Sequence, residues 1–155
     1  MTLGTSLRHL LELLDGEVQH IYETAGLDYR PRFTPVVRAL GSTGPQSIRS
    51  IATRSGLTHS AVSQTVAAMA KADLVTFSAG RDERERIVTP APKLKAMLPM
   101  LQCCWAATNA AAAELDRELP HPLSTLVAQA IAALEAKPFG ERILARLPLE
   151  PADPC

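Results

Sequence analysis

The sequence predicts a mainly α-helical protein that carries a helix-turn-helix and a small β-hairpin between flanking helices. Three observations lead to this expectation. Hydrophobic residues make up 46% of the 155 residues and aromatic residues only 4%, and the many Ala and Leu residues favour helices. Apolar residues recur at helical spacing in several segments of the chain. Near the middle, two short helical patterns meet at a glycine, and two strand patterns follow them.

The N-terminal segment, residues 5–25, has the pattern of an amphipathic helix. Its apolar residues recur every three or four positions, with acidic residues between them, so one face is apolar and the other polar. Thr5 or Ser6 is expected to cap the start of this helix, and Gly26 to end it. A short helix over 33–41 is predicted to follow.

The C-terminal third is also predicted to be helical. The pattern indicates a long helix over 92–119 with a kink or break at Pro99, then helices over 122–136 and 139–147. The stripes of 5–25, 122–136 and 139–147 are too apolar to face water. We therefore expect these segments to pack on a second copy of the chain, as a homodimer.

The central segment carries the most informative pattern. The predicted elements are a helix over 46–56, a helix over 59–71 capped by Thr58, a strand over 74–78 and a strand over 86–89. The first helix ends at Gly56, and a charged turn joins the strands into a hairpin. Two short helices joined around a glycine are typical of a helix-turn-helix, which places its second helix in the major groove of DNA.

The distribution of charge supports a nucleic-acid partner, although the formal net charge of the chain is zero. Residues 30–95 hold eleven basic and four acidic residues, a net charge of +7. The remainder holds five basic and twelve acidic residues, a net charge of −7. A basic middle between acidic ends is expected when one part of a protein faces phosphates.

The second helix of the helix-turn-helix supplies the candidate DNA-reading residues. Its far face is predicted to present Ser60, Gln64, Ala67 and Lys71. Gln64 can bond an adenine edge through two hydrogen bonds, and serine can bond a base edge or a phosphate. The hairpin arginines suit a phosphate backbone or a narrow minor groove. The candidate DNA-contacting residues are Thr58, His59, Ser60, Ala61, Ser63, Gln64, Arg81, Arg84 and Arg86.

The stretch SIRSIATRSGLTHSAVSQTVAAMAKADLV closely resembles the winged helix of MarR-type transcriptional regulators. An arginine-rich turn follows, and then VTP at the start of a long helix, in the order that this family shows. The resemblance implies a winged helix-turn-helix that acts as a homodimer joined by its first and last helices. It also implies a repressor that binds a pseudo-palindromic operator in double-stranded DNA and responds to a small ligand or an oxidant.

These inferences give an expected organisation of the chain. We expect a single domain over 1–155, within which 30–90 forms the DNA-binding unit. Residues 3–26 and 92–147 are expected to form a helical dimerisation region. The chain has only three cysteines, an odd number. We therefore expect a reducing, cytoplasmic location.

Two kinds of trigger are open at this point. His20, Tyr22, Arg32, Phe33 and Trp105 are candidates for a crevice that binds a small aromatic or amphipathic ligand, with ordinary packing as the alternative. Cys103 and Cys104 suggest a thiol-based redox sensor as an alternative regulator, but no Lys or Arg nearby would activate either thiol. Cys155 is expected to lie in a frayed tail.

Other classes of function find less support in the sequence. No Ser/His/Asp or paired-carboxylate arrangement stands out, and residues 90–155 contain only one glycine, Gly140, so a nucleotide-binding loop is not expected there. We therefore expect no enzyme, no catalytic or metal-ligating residues and no cofactor. The apolar stretch 96–113 fits a buried helix better than a membrane span. A winged-helix protein-interaction module that does not bind DNA is a further alternative.

Overall fold

The structure is a computed structural model that describes residues 2–41, 44–80 and 86–147. Its elements are α1 (Leu3–Thr24), a 3₁₀ turn (Pro31–Phe33), α2 (Thr34–Gly41), β1 (Gln46–Ser47), α3 (Ile48–Ser55), α4 (His59–Lys71), β2 (Val75–Ala79), β3 (Arg86–Pro90), α5 (Pro92–Glu118), α6 (Leu123–Ala136) and α7 (Phe139–Leu144). They group into two compact units, an N-terminal unit (Met1–Ala106) and a C-terminal unit (Ala107–Cys155). The prediction of a single domain is not tested by this grouping.

The N-terminal unit has a hydrophobic core, to which a small antiparallel sheet contributes Val75 and Val88. In the described part of the chain the sheet has the order β1-β3-β2, and Phe77 of β2 lies opposite Val88 of β3. Val62, Val66 and Met69 of α4 are fully buried in the core. The core also takes in residues of α1, α2, α3 and α5, so the helix-turn-helix is held from several sides.

Local capping signals explain where the central helices begin. The Ser47 side chain accepts a hydrogen bond from the Ser50 N–H at 3.2 Å, which caps α3. Gly56 ends α3 with φ of +70°, a left-handed conformation that glycine adopts without steric cost. The Thr58 hydroxyl then accepts from the Ala61 N–H at 3.1 Å and caps α4. The predicted bounds of α4, its Thr58 cap and the stop at Gly56 are therefore confirmed.

Two expectations about the helices are wrong, and a third is narrowed. The first helix begins at Leu3 with Thr2 as its cap, not Thr5 or Ser6, because the Thr2 hydroxyl accepts from the Thr5 N–H. The helix predicted over 46–56 begins only at Ile48, because Gln46 and Ser47 pair with β3 as a short strand. Of the kink or break expected at Pro99, the break is excluded, since α5 continues through that residue.

Gln46 is a buried polar residue that fastens the start of this unit. Its side chain is 8% exposed and donates through Nε2 to the Ala39 carbonyl at 2.6 Å. Its Oε1 accepts from the Ser50 hydroxyl at 2.9 Å. One amide thus ties the end of α2 to the first turn of α3.

Replacing this amide is expected to destabilise the fold without touching the exposed face of α4. Gln46→Ala removes both hydrogen bonds, each of which contributes on the order of 1 kcal/mol, so the free energy of unfolding should fall by about 2 kcal/mol. Thermal or urea unfolding measures this loss. Gln102→Ala, at an exposed glutamine of α5, is the matched control and should be neutral. Equal stability of the two variants would contradict this role for Gln46.

The C-terminal unit holds the end of α5 together with α6 and α7. Asp116 accepts hydrogen bonds from both the backbone N–H and the hydroxyl of Ser124, and these bonds hold the pKa of Asp116 below its usual value. Arg142 of α7 donates to the Ala133 carbonyl at 2.8 Å and to the Lys137 carbonyl at 3.2 Å. These contacts satisfy carbonyls at the end of α6.

Two general properties concern membranes and metals. No helix within the described residues is both long enough and apolar enough to cross a membrane. Across residues 2–41, 44–80 and 86–147, no group of three or more His, Cys, Asp or Glu side chains is arranged to hold a metal ion.

Candidate nucleic-acid interface

Helix α4 presents one polar face to solvent and buries the other. Ser60, Gln64, Ala67 and Lys71 are exposed at positions that share a face of the helix, as predicted. The residues beside this face, Ala61 and Ser63, are half-buried and small, and Thr58 and His59 are exposed at its start. A helix with short side chains in its first turns can approach a groove closely, and Gln64 then extends beyond its neighbours towards a base edge.

The turn before α4 is fixed by the side chain of Ser55 as well as by Gly56. The Ser55 hydroxyl donates to the Ala52 carbonyl at 3.4 Å and accepts from the Leu57 N–H at 3.4 Å. Ile51 of α3 is fully buried in the same core as Val62 of α4. The angle between the two helices is therefore set by packing and by hydrogen bonds within the turn.

The hairpin of β2 and β3 places one described arginine beside an aromatic ring. Arg86 is exposed at the start of β3, and its guanidinium carbon lies 5.4 Å from the centre of the Phe77 ring. A cation above a ring face is attracted by the ring's quadrupole, so Phe77 orients Arg86. Arg81 and Arg84 lie outside the described residues.

We expect Arg86→Ala to weaken binding to every DNA sequence by a similar factor. A phosphate contact carries no base information, and its loss should make the salt dependence of binding shallower by about one unit of slope per half-site. Fluorescence anisotropy over a range of salt concentrations measures this slope. Phe77→Leu, which keeps the charge but removes the ring, should show a smaller loss. An unchanged slope for Arg86→Ala would exclude a phosphate contact, with Arg117→Ala in the C-terminal unit as control.

Not every basic residue of the +7 segment is available to DNA. Lys93 donates to Asp28 at 3.1 Å and to the Ala72 carbonyl at 2.9 Å, so it fastens the start of α5 to neighbouring loops. The Arg38 guanidinium carbon lies 5.1 Å from the centre of the Trp105 ring. The exposed arginines of α3, Arg49 and Arg54, lie on the helix that supports α4.

The five candidate ligand residues differ widely in exposure. Tyr22 and Phe33 are buried in the core, at 1% and 3% exposure, and Trp105 donates its indole N–H to the Tyr22 hydroxyl at 3.1 Å. His20 and Arg32 are exposed. Tyr29, which sequence reasoning missed, packs edge-to-face on Tyr22 and Phe33, and burial raises the pKa of its phenol. A ligand-binding role for the five residues stays a prediction.

A pocket of about 570 Å³ lies elsewhere in the N-terminal unit, between α2 and α3. Its apolar lining consists of Pro31, Pro35 and Ala39, and its polar lining of Thr34, Arg38, Arg54 and Ser55. None of the five predicted ligand residues lines it. The two arginines were visible in the sequence only as part of the basic segment, because their juxtaposition depends on how the helices pack.

The two cysteines of α5 differ in environment. Cys103 is exposed, whereas Cys104 is buried at 7% exposure within the core. Cys155 lies outside the described residues. The redox-sensing alternative stays a prediction.

Comparisons with known proteins place this geometry in context. The family model HVO_A0114 matches residues 29–96, less than half of the chain. No curated protein sequence matches the chain significantly. The transcriptional regulator MOSR of M. tuberculosis, solved in complex with DNA, is similar in structure with a TM-score of 0.66 and 18% identity, over 95% of this chain and 100% of that chain.

Two further solved structures show the same fold. A MarR family transcriptional regulator from Silicibacter pomeroyi is similar with a TM-score of 0.54 and 20% identity, over 88% of this chain and 89% of that chain. Overoxidized AbfR bound to DNA is similar with a TM-score of 0.63 and 15% identity, over 86% of this chain and 90% of that chain. This chain has the MarR-type winged-helix fold. The fold class predicted from the sequence is thereby confirmed.

Within the MarR-type fold of this chain, each element has a place in the candidate interface. Helices α3 and α4 form the helix-turn-helix, and β2 and β3 form the wing beside it. The strand that the sequence did not predict, β1, completes the sheet by pairing with β3. The candidate site therefore consists of the exposed face of α4 and the described base of the wing at Arg86.

Proposed function

We propose that this protein is a sequence-specific DNA-binding transcriptional repressor that acts as a homodimer. The observation that carries the proposal is the exposed face of α4, which includes Ser60 and Gln64. The opposite face of the same helix is fully buried through Val62, Val66 and Met69. A rigid helix with small polar residues at its start is the geometry that reads a major groove. The net charge of +7 over residues 30–95 supplies attraction for phosphates.

Apolar side chains left in solvent support the homodimer. In the N-terminal unit, Leu11 of α1 is 57% exposed, and in the C-terminal unit Ile131 of α6 and Phe139 of α7 are 53% and 60% exposed. Helix α6 has no buried residue at all. Exposed apolar faces of this kind mark interaction surfaces. A second copy of the chain would cover them and would set two α4 helices about 34 Å apart, the spacing of successive major grooves.

Small-ligand control of DNA affinity is part of the proposal. A ligand can lower DNA affinity only if it binds the free protein more tightly than the DNA-bound protein, because such coupling is reciprocal.

MOSR and AbfR have been solved bound to DNA, and their likeness in fold makes DNA the partner to test first.

Selection of bound sequences from random DNA tests the proposal directly. The expected result is a pseudo-palindromic site whose half-sites lie one helical turn apart, bound in gel-shift assays far more tightly than scrambled DNA. Failure to enrich any sequence, together with no affinity above the non-specific level, would contradict the proposal. It would favour a winged-helix protein-interaction module.

A further inference from the structure

We propose that the pocket between α2 and α3 binds a small dianion, a dicarboxylate or a phosphate, through Arg38 and Arg54. This inference rests on the proposed function, because it names the chemistry of the ligand that would control DNA affinity. It also moves the regulatory site away from the aromatic crevice expected near Trp105. Arg54 and Ser55, which line the pocket, lie at the end of α3, the helix that supports α4.

The size and lining of the pocket fit a compact, charged ligand. Its volume of about 570 Å³ lies within the range of small-molecule sites. Pro31, Pro35 and Ala39 give it walls with no donor groups in their side chains, and Thr34 and Ser55 contribute hydroxyls. None of the described residues that line it is acidic. An anion entering this pocket therefore meets no repelling side chain on its lining.

The two arginines determine the preferred charge of the ligand. Each guanidinium presents several N–H donors in a planar fork that matches the oxygens of a carboxylate or a phosphate. Arg38 comes from α2 and Arg54 from the last turn of α3, so they approach from different elements. A ligand with two negative charges can engage both, whereas a monocarboxylate neutralises only one.

Arg38 links the pocket to an internal optical probe. It lines the pocket, and its guanidinium carbon also lies 5.1 Å from the centre of the Trp105 ring. Trp105 is the only tryptophan in the chain. A ligand that draws the guanidinium towards its own oxygens weakens the contact with the indole, and the emission of Trp105 should change.

Ser55 links the same pocket to the helix-turn-helix. Ser55 lines the pocket, and its hydroxyl accepts from the Leu57 N–H of the turn that leads into α4. The same hydroxyl donates its proton to the Ala52 carbonyl at 3.4 Å. A ligand oxygen that takes this proton turns the hydroxyl away from both the Ala52 carbonyl and the Leu57 N–H, and so loosens the turn that leads into α4. Binding of the dianion is therefore expected to lower the affinity for DNA.

Titration of the full-length chain tests the binding step without DNA. Succinate and inorganic phosphate are the two dianionic probes, propionate is the monocarboxylate, and sodium chloride keeps the ionic strength constant. We expect a saturable change in Trp105 emission and saturable heat in calorimetry with at least one dianion, and weaker binding of propionate. The dianion that saturates distinguishes a carboxylate from a phosphate ligand. No saturable binding of either would overturn the proposal.

Variants test whether the pocket is the binding site. The double substitution Arg38→Gln, Arg54→Gln should lower the affinity for the dianion by about tenfold or more, measured by calorimetry because the Arg38 change alters the surroundings of Trp105. Arg49→Gln, at an exposed arginine on the same helix but outside the pocket, should bind the dianion as the wild type does. Unchanged affinity of the double variant would overturn the assignment of the site.

Gel shifts with a selected DNA site test the coupling separately. At constant ionic strength, the effective dianion should weaken DNA binding of the wild type and of Arg49→Gln but not of the double variant. If the chain binds DNA tightly but binds neither dianion, this inference is wrong and the proposed function remains. Saturable dianion binding by a chain that binds no DNA sequence would support the pocket and contradict the proposed function.

Discussion

Ile131→Asp is expected to convert the protein into a monomer and to abolish operator binding at concentrations where the wild type binds. Ile131 is 53% exposed on α6, so the separate chain tolerates a carboxylate there. Within a dimer the same carboxylate is buried without a partner, which costs several kcal/mol, on the order of 3–5. A monomer then offers one recognition helix to a site built for two.

Sedimentation and gel-shift assays on the same samples measure both effects. Gln129→Asp adds the same charge to α6 at an exposed polar position two residues away, which a helix turns to the opposite side. That variant should remain a dimer and bind DNA normally. If the wild type sediments at 16.7 kDa, the homodimer proposal is wrong. If Ile131→Asp sediments as a dimer, α6 is not part of the interface.

Gln64→Ala is the second change with a large expected effect. Loss of a two-point contact with a base costs about 1–3 kcal/mol per half-site, and a homodimer loses it twice. The loss should be confined to the preferred site, and the base preference at one position of each half-site should relax. The Gln64 side chain is exposed and has no part in the core, so the stability of the protein should not change.

Anisotropy titrations with the selected operator, its single-base variants and scrambled DNA measure this specificity. Gln102→Ala removes the same amide from an exposed position of α5 and should leave operator binding unchanged. An equal loss of specific and non-specific affinity in Gln64→Ala would show that Gln64 does not read a base.

The parts of the fold that sequence reasoning predicted correctly are those with local causes. The start of α4 depends on a threonine three residues before the N–H that it caps, and its exposed face depends on a helical period. Strand β1 depends instead on pairing with Ile87 and Val88, some 40 residues further along the chain. A two-residue strand has no periodicity of its own, and Gln46 shows no apolar signal, so the sequence predicted a helix there.

The residues of the candidate site also differ in whether local spacing or packing between elements places them. Ser60 and Gln64 share a face because of the spacing of residues on a single helix, which the sequence displays. The burial of Tyr22, its bond to Trp105 83 residues away, and the placement of Arg38 and Arg54 beside one pocket all depend on packing between elements. Tyr22 and Phe33 are buried in the core, a ligand role for the five residues stays a prediction, and the pocket lies where no local pattern marked it.

The core residues of the N-terminal unit are spread along the sequence from Tyr22 to Cys104 and include Leu94 and Leu101 of α5. A chain emerging from the ribosome has all of α3 and α4 long before Leu101, yet the side chains that close the core around them arrive last. A message cut short between Lys71 and Leu101 therefore encodes the whole recognition helix but not the packing that holds it. Such a truncated product would lack the packing that holds α4 in place and could not compete with the intact chain for DNA.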